Sequence, residues 1–146
     1  MRKKKALAGV LASTLVLGNL TLPENISFGG LNFGTLFAQA AEVVDSGTLG
    51  IAGLTWTLDD TGVLTITGDG SMGIYWSATY GVPWYSERES ITSVVIEDGV
   101  TDIGNYIFSD CINLKNVDIP DSVTKIGQYS FDNCSSLTYI KIPESV

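Results

Sequence analysis

The chain contains no histidine, and its only thiols are Cys111 and Cys134, so neither a Ser-His-Asp nor a Cys-His nucleophile nor an imidazole metal site can be assembled. Carboxylates and glycines remain as candidates for chemistry. Asp59-Asp60 together with Asp69 offers oxygen ligands for Ca²⁺, but the spacing matches no defined calcium loop, and Asp beside Thr61-Gly62 is ordinary turn chemistry. Gly68-Asp69-Gly70-Ser71-Met72-Gly73 has the spacing of a dinucleotide fingerprint. The residues that follow, Ile74-Tyr75-Trp76-Ser77, lack helical periodicity, so no helix dipole awaits a pyrophosphate, and Asp69 would repel one. Carboxylate pairs for glycoside hydrolysis would have to come from acids at solvent-facing positions. These residues predict no enzyme, no metal and no cofactor.

Charge narrows the partners. Four of the 8 cations are Arg2, Lys3, Lys4 and Lys5, and of the 16 acids only Glu24 precedes Glu42, so the body of the chain is more acidic than the formal net charge of −8. Such a surface repels phosphate backbones, which excludes nucleic acid as a partner. The basic start, the apolar run from Ala6 to Leu22 and the small residues of Ala38-Gln39-Ala40 have the order of a secretory signal, with Pro23 to Phe37 as an unusually long spacer. Cleavage after Ala40 and retention as a membrane anchor both remain open. Either way the expected location is secreted or cell-surface.

The elements that must carry any site are set by a repeat. Ile96-Glu97-Asp98-Gly99-Val100-Thr101-Asp102-Ile103-Gly104 returns 23 residues later as Ile119-Pro120-Asp121-Ser122-Val123-Thr124-Lys125-Ile126-Gly127, and Ile142-Pro143-Glu144-Ser145-Val146 starts a third copy. A unit of that length forms one coil of a solenoid and cannot bury its apolar face without a neighbour. Leu114-x-x-Val117-x-Ile119 and Leu137-x-x-Ile140-x-Ile142 supply the strand of each coil, Asp98-Gly99 and Asp121-Ser122 the turn leaving it, and Phe108 and Phe131 the core opposite. Val117 and Ile119 point inward; Asn116, Asp118 and Pro120, with Tyr139, Lys141 and Pro143 in the next coil and Ser93, Val95 and Glu97 in the previous one, point outward. Cys111 and Cys134 fall at one position of the unit. Parallel Cβ vectors keep them near the ~4.8 Å strand spacing and beyond the ~3.8 Å of a disulfide, so two buried free thiols are expected.

Upstream, Leu54-Thr55-Trp56-Thr57-Leu58 and Val63-Leu64-Thr65-Ile66-Thr67 alternate apolar and polar residues about Asp59-Asp60-Thr61-Gly62, which predicts a β-hairpin. Stepping the repeat backward sets Tyr85 in the Phe108 position, Ile91 in that of Leu114 and Val94 in that of Val117, a degenerate first coil. Trp56 and Trp84 then close the apolar end of the stack, while Tyr75, Trp76 and Tyr80 are left without an assignment. Asn133-Cys134-Ser135 fits a glycosylation sequon but straddles a buried cysteine position, and we set it aside. The expected fold is mainly β: a leucine-rich-repeat solenoid of 23-residue coils with an N-terminal β-hairpin cap and no long helix outside the signal segment. Its parts are a signal peptide with spacer (1–40), a linker (41–53), the β cap with its degenerate coil (54–95) and the repeats (96–146), two full and the third truncated.

The unit Ile119-Pro120-x-Ser122-Val123-Thr124-x-Ile126-Gly127-x-x-x-Phe131-x-x-Cys134-x-x-Leu137-x-x-Ile140 resembles the BspA-type leucine-rich repeat of bacterial surface proteins. Leu54 to Leu58, Gly62-x-Leu64-Thr65-Ile66-x-Gly68, Gly70-x-Met72 and Pro83-Trp84-Tyr85 resemble the module that often precedes such repeats. Leu49 stands where that module often has Cys, and Ile107 and Ser130 where the repeat usually has Ala. The resemblance implies a secreted or surface-attached binding protein, with adhesins among its relatives, and supplies no catalytic residue. The expected function is binding of an extracellular protein or glycan through the strand face, with Val95, Glu97, Asn116, Asp118, Tyr139 and Lys141 as contact residues. The alternative is a non-binding spacer or attachment module of a larger protein. The chain stops five residues into a coil, so we expect a fragment whose open apolar end self-associates.

Overall fold

The structure is a computed structural model that describes residues 41–50, 53–73 and 81–146, together with four two-residue strands nearer the N-terminus. Met1–Ala40 and Ala41–Val146 are separate units. In the first, β1 (Val16–Leu17) pairs antiparallel with β2 (Leu20–Thr21), and β3 (Ser27–Phe28) with β4 (Leu31–Asn32). The expected signal segment and its cleavage site otherwise lie outside the described residues, as do Tyr75, Trp76 and Tyr80.

In Ala41–Val146 the alternation upstream of the repeats forms β6 (Leu54–Asp59) and β7 (Val63–Thr67), an antiparallel hairpin with Leu54, Trp56, Leu58, Leu64 and Ile66 buried and the threonines on the other face. Asp59 makes the turn: its Oδ1 accepts from Thr61 N at 2.9 Å, Thr61 Oγ1 at 2.7 Å and Val63 N at 3.0 Å. Residues 41–53, expected as a linker, instead contain the strand β5 (Val43–Leu49), which pairs antiparallel with β6. It lacks an alternating apolar signal because one of its inward positions is Gly47, over which the Trp56 indole lies; a Cβ there would stand 2.9 Å from Trp56 Nε1.

The hairpin does more than close an end. Strands β5, β6 and β7 continue into β9 (Ser93–Ile96) and β11 (Asn116–Asp118) as one five-stranded sheet in the order β11-β9-β7-β6-β5, with β7, β9 and β11 parallel. A second, wholly parallel ladder joins β8 (Gly70–Ser71), β10 (Val100–Ile103) and β12 (Lys125–Ile126). Asn116 pairs with Ser93 and Lys125 with Asp102, so the sequence period is the register of both ladders. Among the described residues the only helix is a 3-10 helix, Tyr85–Ser90, and none is long and apolar enough to cross a membrane.

An aromatic column runs through the core: Trp56 meets Trp84 edge-on at 5.5 Å, Trp84 stacks on Phe108 at 5.8 Å, and Phe108 on Phe131 at 5.3 Å. Trp84, not Tyr85, therefore takes the phenylalanine place in the cap. The indole Nε1 donates to Ile107 O at 3.1 Å, which fixes the ring inside, and Tyr85 is half-buried at the margin of the core beneath the Arg88 guanidinium, 4.0 Å from its ring centre. Ser130, at a position expected to hold Ala, is buried because its hydroxyl donates to Gly104 O at 3.0 Å and so bridges two coils.

Candidate functional site

The outer face of the long sheet is built by register. From β9 to β11 one repeat advances the sheet by one strand, so a residue and its counterpart 23 positions later stand side by side, Val95 beside Asp118 and Ser93 beside Asn116, whereas the strand expected at Leu137 to Ile142 does not form. A shallow depression on this face is lined by Val95, Ile96, Glu97, Asp98, Asp118, Ile119, Pro120, Asp121 and Lys141. It brings together four of the six residues selected from sequence, Val95, Glu97, Asp118 and Lys141. Asn116 and Tyr139 do not line it; both are exposed, Tyr139 at 75 %. Val95 is half-buried and Glu97, Asp118 and Lys141 are exposed.

Asp98 and Asp121 also line the depression, although the sequence marks them only as turn residues. Their repetition at the same point of consecutive units was the signal available. Glu97, Asp98, Asp118 and Asp121 set four carboxylates against the single ammonium of Lys141, and the only ion pair among the described residues, Arg88 with Glu89 at 3.8 Å, lies elsewhere. Pro143, expected to point outward, is buried. The face continues onto the cap, where Thr57 and Thr65 share the row of Val95, and Thr55 and Thr67 join their hydroxyls at 2.8 Å.

The groups considered for chemistry are otherwise engaged. Burial raises the Asp59 carboxyl, but the hydrogen bonds from the Thr61 hydroxyl and the backbone N–H groups of Val63, Thr61 and Gly62 outweigh it and hold the group below its ordinary value. Asp60 Oδ1 accepts from Glu42 N at 3.0 Å. In the glycine motif Gly70–Ser71 is β8, Met72 is buried, Gly70 N donates to Gly99 O at 3.0 Å and Ser71 Oγ to Asp102 Oδ1 at 2.9 Å, so these residues dock the cap on the first coil. Both thiols are free and buried, and Cys134 Sγ donates to Phe108 O at 3.2 Å. Burial pushes Cys111 up to about 12 and Cys134 to about 11, the reverse of an activated nucleophile.

The family model described as "BspA type Leucine rich repeat region (6 copies)" matches residues 83–146. Over these residues the chain is similar to a BspA-type leucine-rich-repeat region. Its start falls at Pro83, beside Trp84 at the head of the phenylalanine column. A leucine-rich repeat protein from Eubacterium ventriosum ATCC 27560 is similar at 36 % identity over 61 % of this chain and 24 % of that one, with a TM-score of 0.56. The chain thus spans about a quarter of that protein. A leucine rich cell surface protein from Faecalibacterium prausnitzii A2-165 has 32 % identity over 66 % of this chain and 31 % of that one, with a TM-score of 0.37. A leucine rich repeat protein of T. pallidum has 21 % identity over 68 % of this chain and 52 % of that one, with a TM-score of 0.42. None of the curated proteins compared matches the chain.

Proposed function

We propose that this chain is an exported, non-enzymatic binding module of the bacterial cell surface that holds an extracellular protein or glycan on the outer face of its long sheet. The observation that carries the reading is the depression, where Val95, Asp118 and Lys141, each 23 residues after the one before, meet Glu97. A buried frame that recurs while outward residues change from coil to coil is the pattern of a display surface. The acidic balance around Lys141 favours ligands that bring a cationic or hydroxyl group to it.

The test begins with a ligand found on arrays of extracellular glycans and matrix proteins. The six-fold variant Val95→Ala, Glu97→Ala, Asn116→Ala, Asp118→Ala, Tyr139→Ala and Lys141→Ala is then measured against it. Binding should disappear while the thermal midpoint moves little, since five of the six residues are exposed and Val95 is half-buried, and exposed substitutions typically move stability by within about 0.5 kcal/mol each. Binding that survives all six substitutions, or a variant that no longer folds, would sink the assignment and leave the spacer reading, to which the partial coverage of the Eubacterium protein lends weight.

A further inference from the structure

The five-stranded sheet ends on β5, and no strand among the described residues pairs with its outer side. A free edge presents unpaired N–H and C=O groups to any extended chain, and proteins blunt such edges with Lys, Pro or bulges. β5, Val43-Val44-Asp45-Ser46-Gly47-Thr48-Leu49, has neither Lys nor Pro. Its bulge sits at one end, between the pairings of Val43 and Asp45, and leaves Asp45 to Leu49 in unbroken register with β6. Val43 and Val44 are 55 % and 58 % exposed.

A second observation lies directly beneath that edge. Trp56 is 4 % exposed, and its Nε1 is a buried donor with no acceptor. The indole reaches across Gly47, its register partner on β5. Residue 47 contributes no side chain between this donor and the open edge.

The geometry points to a twofold dimer in which β5 pairs antiparallel with β5 of a second copy about Ser46, each copy's Asp45 accepting from the other's Trp56 indole N–H. The strand has seven residues and Ser46 is its centre, so this register satisfies the self-complementarity a twofold demands, with Asp45 to Gly47 the stretch that is regular in both copies. It sets Asp45 opposite the partner's Gly47, Val44 opposite the partner's Thr48 and Val43 opposite the partner's Leu49. Asp45 pairs with Leu58 and Gly47 with Trp56, so both belong to the face that carries the indole, and the incoming carboxylate arrives on the correct side. Asp45 Oδ1 accepts from Ser46 N at 2.8 Å, and among the described residues its second oxygen accepts no hydrogen bond, while the Glu87 carboxyl, raised by burial, lies near enough for Asp45 to raise it further. A register centred on Asp45 would place the two carboxylates opposite one another, which a sheet disfavours.

Sedimentation equilibrium of the full chain tests the dimer. The wild type should show a reversible monomer–dimer equilibrium, weakened at least about tenfold in Asp45→Ala by loss of two charge-assisted hydrogen bonds, while Asp45→Asn, which keeps an acceptor oxygen, should stay nearer the wild type. The unfolding midpoint of Asp45→Ala in dilute solution, where every variant is monomeric, separates lost pairing from lost folding. A chain that stays monomeric at every concentration overturns the proposal. A dimer that Asp45→Ala leaves unchanged overturns it too, since the copies then meet elsewhere, as at Tyr139, Ile142 and Val146, which are exposed on the last coil.

Discussion

At the scale of single residues the thiols test whether the coils pack as described. Cys111 and Cys134 stand one above the other in consecutive coils, each inside the core and neither bridged. Burial disfavours the thiolate at both, and at Cys111 the neighbouring Cys134 adds to it, which is why the groups titrate only near about 12 and about 11. In disulfide exchange the protein thiolate attacks a sulfur of the reagent and expels the other as thiolate, and at pH 8 the folded chain offers almost no thiolate. The folded protein should leave both thiols unreacted over an hour, and guanidinium should release two equivalents at once. A fast native reaction at either cysteine would show that its coil opens. Export permits disulfides, but stacking on a parallel frame works against this one.

At the scale of elements, the joint between cap and first coil rests on Gly99. Its φ is +104°, and a Cβ there would stand 2.5 Å from Asp69 Oδ1 and 2.8 Å from Gly68 O. Gly99→Ala should therefore cost about 1–3 kcal/mol through strain and overpacking. Gly53, at φ +79° with open space around it, makes the comparison: Gly53→Ala carries only the backbone penalty, about 1 kcal/mol. Urea unfolding of the two variants should rank them in that order, and equal midpoints would mean the joint is not tight. What the sequence shows and what it hides divides along the same elements. Alternation at Leu54, Trp56 and Leu58 and recurrence every 23 residues expose the hairpin, the long sheet and most of the depression, because a fixed period translates directly into register. β5 is hidden because Gly47 stands where alternation would ask for an apolar residue. The second ladder is hidden because in β10 the buried residues are Val100 and Ile103, three apart, a spacing no strand rule selects. Asp98 and Asp121 escape as site residues since turn chemistry already accounts for them.

For the molecule as a whole, these joints decide whether cap and repeats unfold together. In a solenoid each unit touches only its neighbours, and a terminal unit frays first unless its interface is strong. Here the interface consists of the parallel pairing of β7 with β9, the contact of β8 with β10, and Trp84, which stacks on Phe108 and donates to Ile107 O at 3.1 Å. Trp84 is fully buried, so Trp84→Ala should cost about 3–5 kcal/mol, a large share of the stability of a domain this size. All 3 tryptophans, Trp56, Trp76 and Trp84, precede the repeat strands, so their fluorescence reports the cap, whereas far-UV circular dichroism reports strands from β5 to β12. The two signals should fall at one midpoint in urea, and Trp84→Ala should move both down together, with Trp56 still reporting. Fluorescence lost before the far-UV signal would mean instead that the aromatic column does not couple the hairpin to the coils. The outer face would then be two surfaces carried by independently folding parts, and a ligand spanning Thr65 and Asp118 could not be held by one rigid sheet.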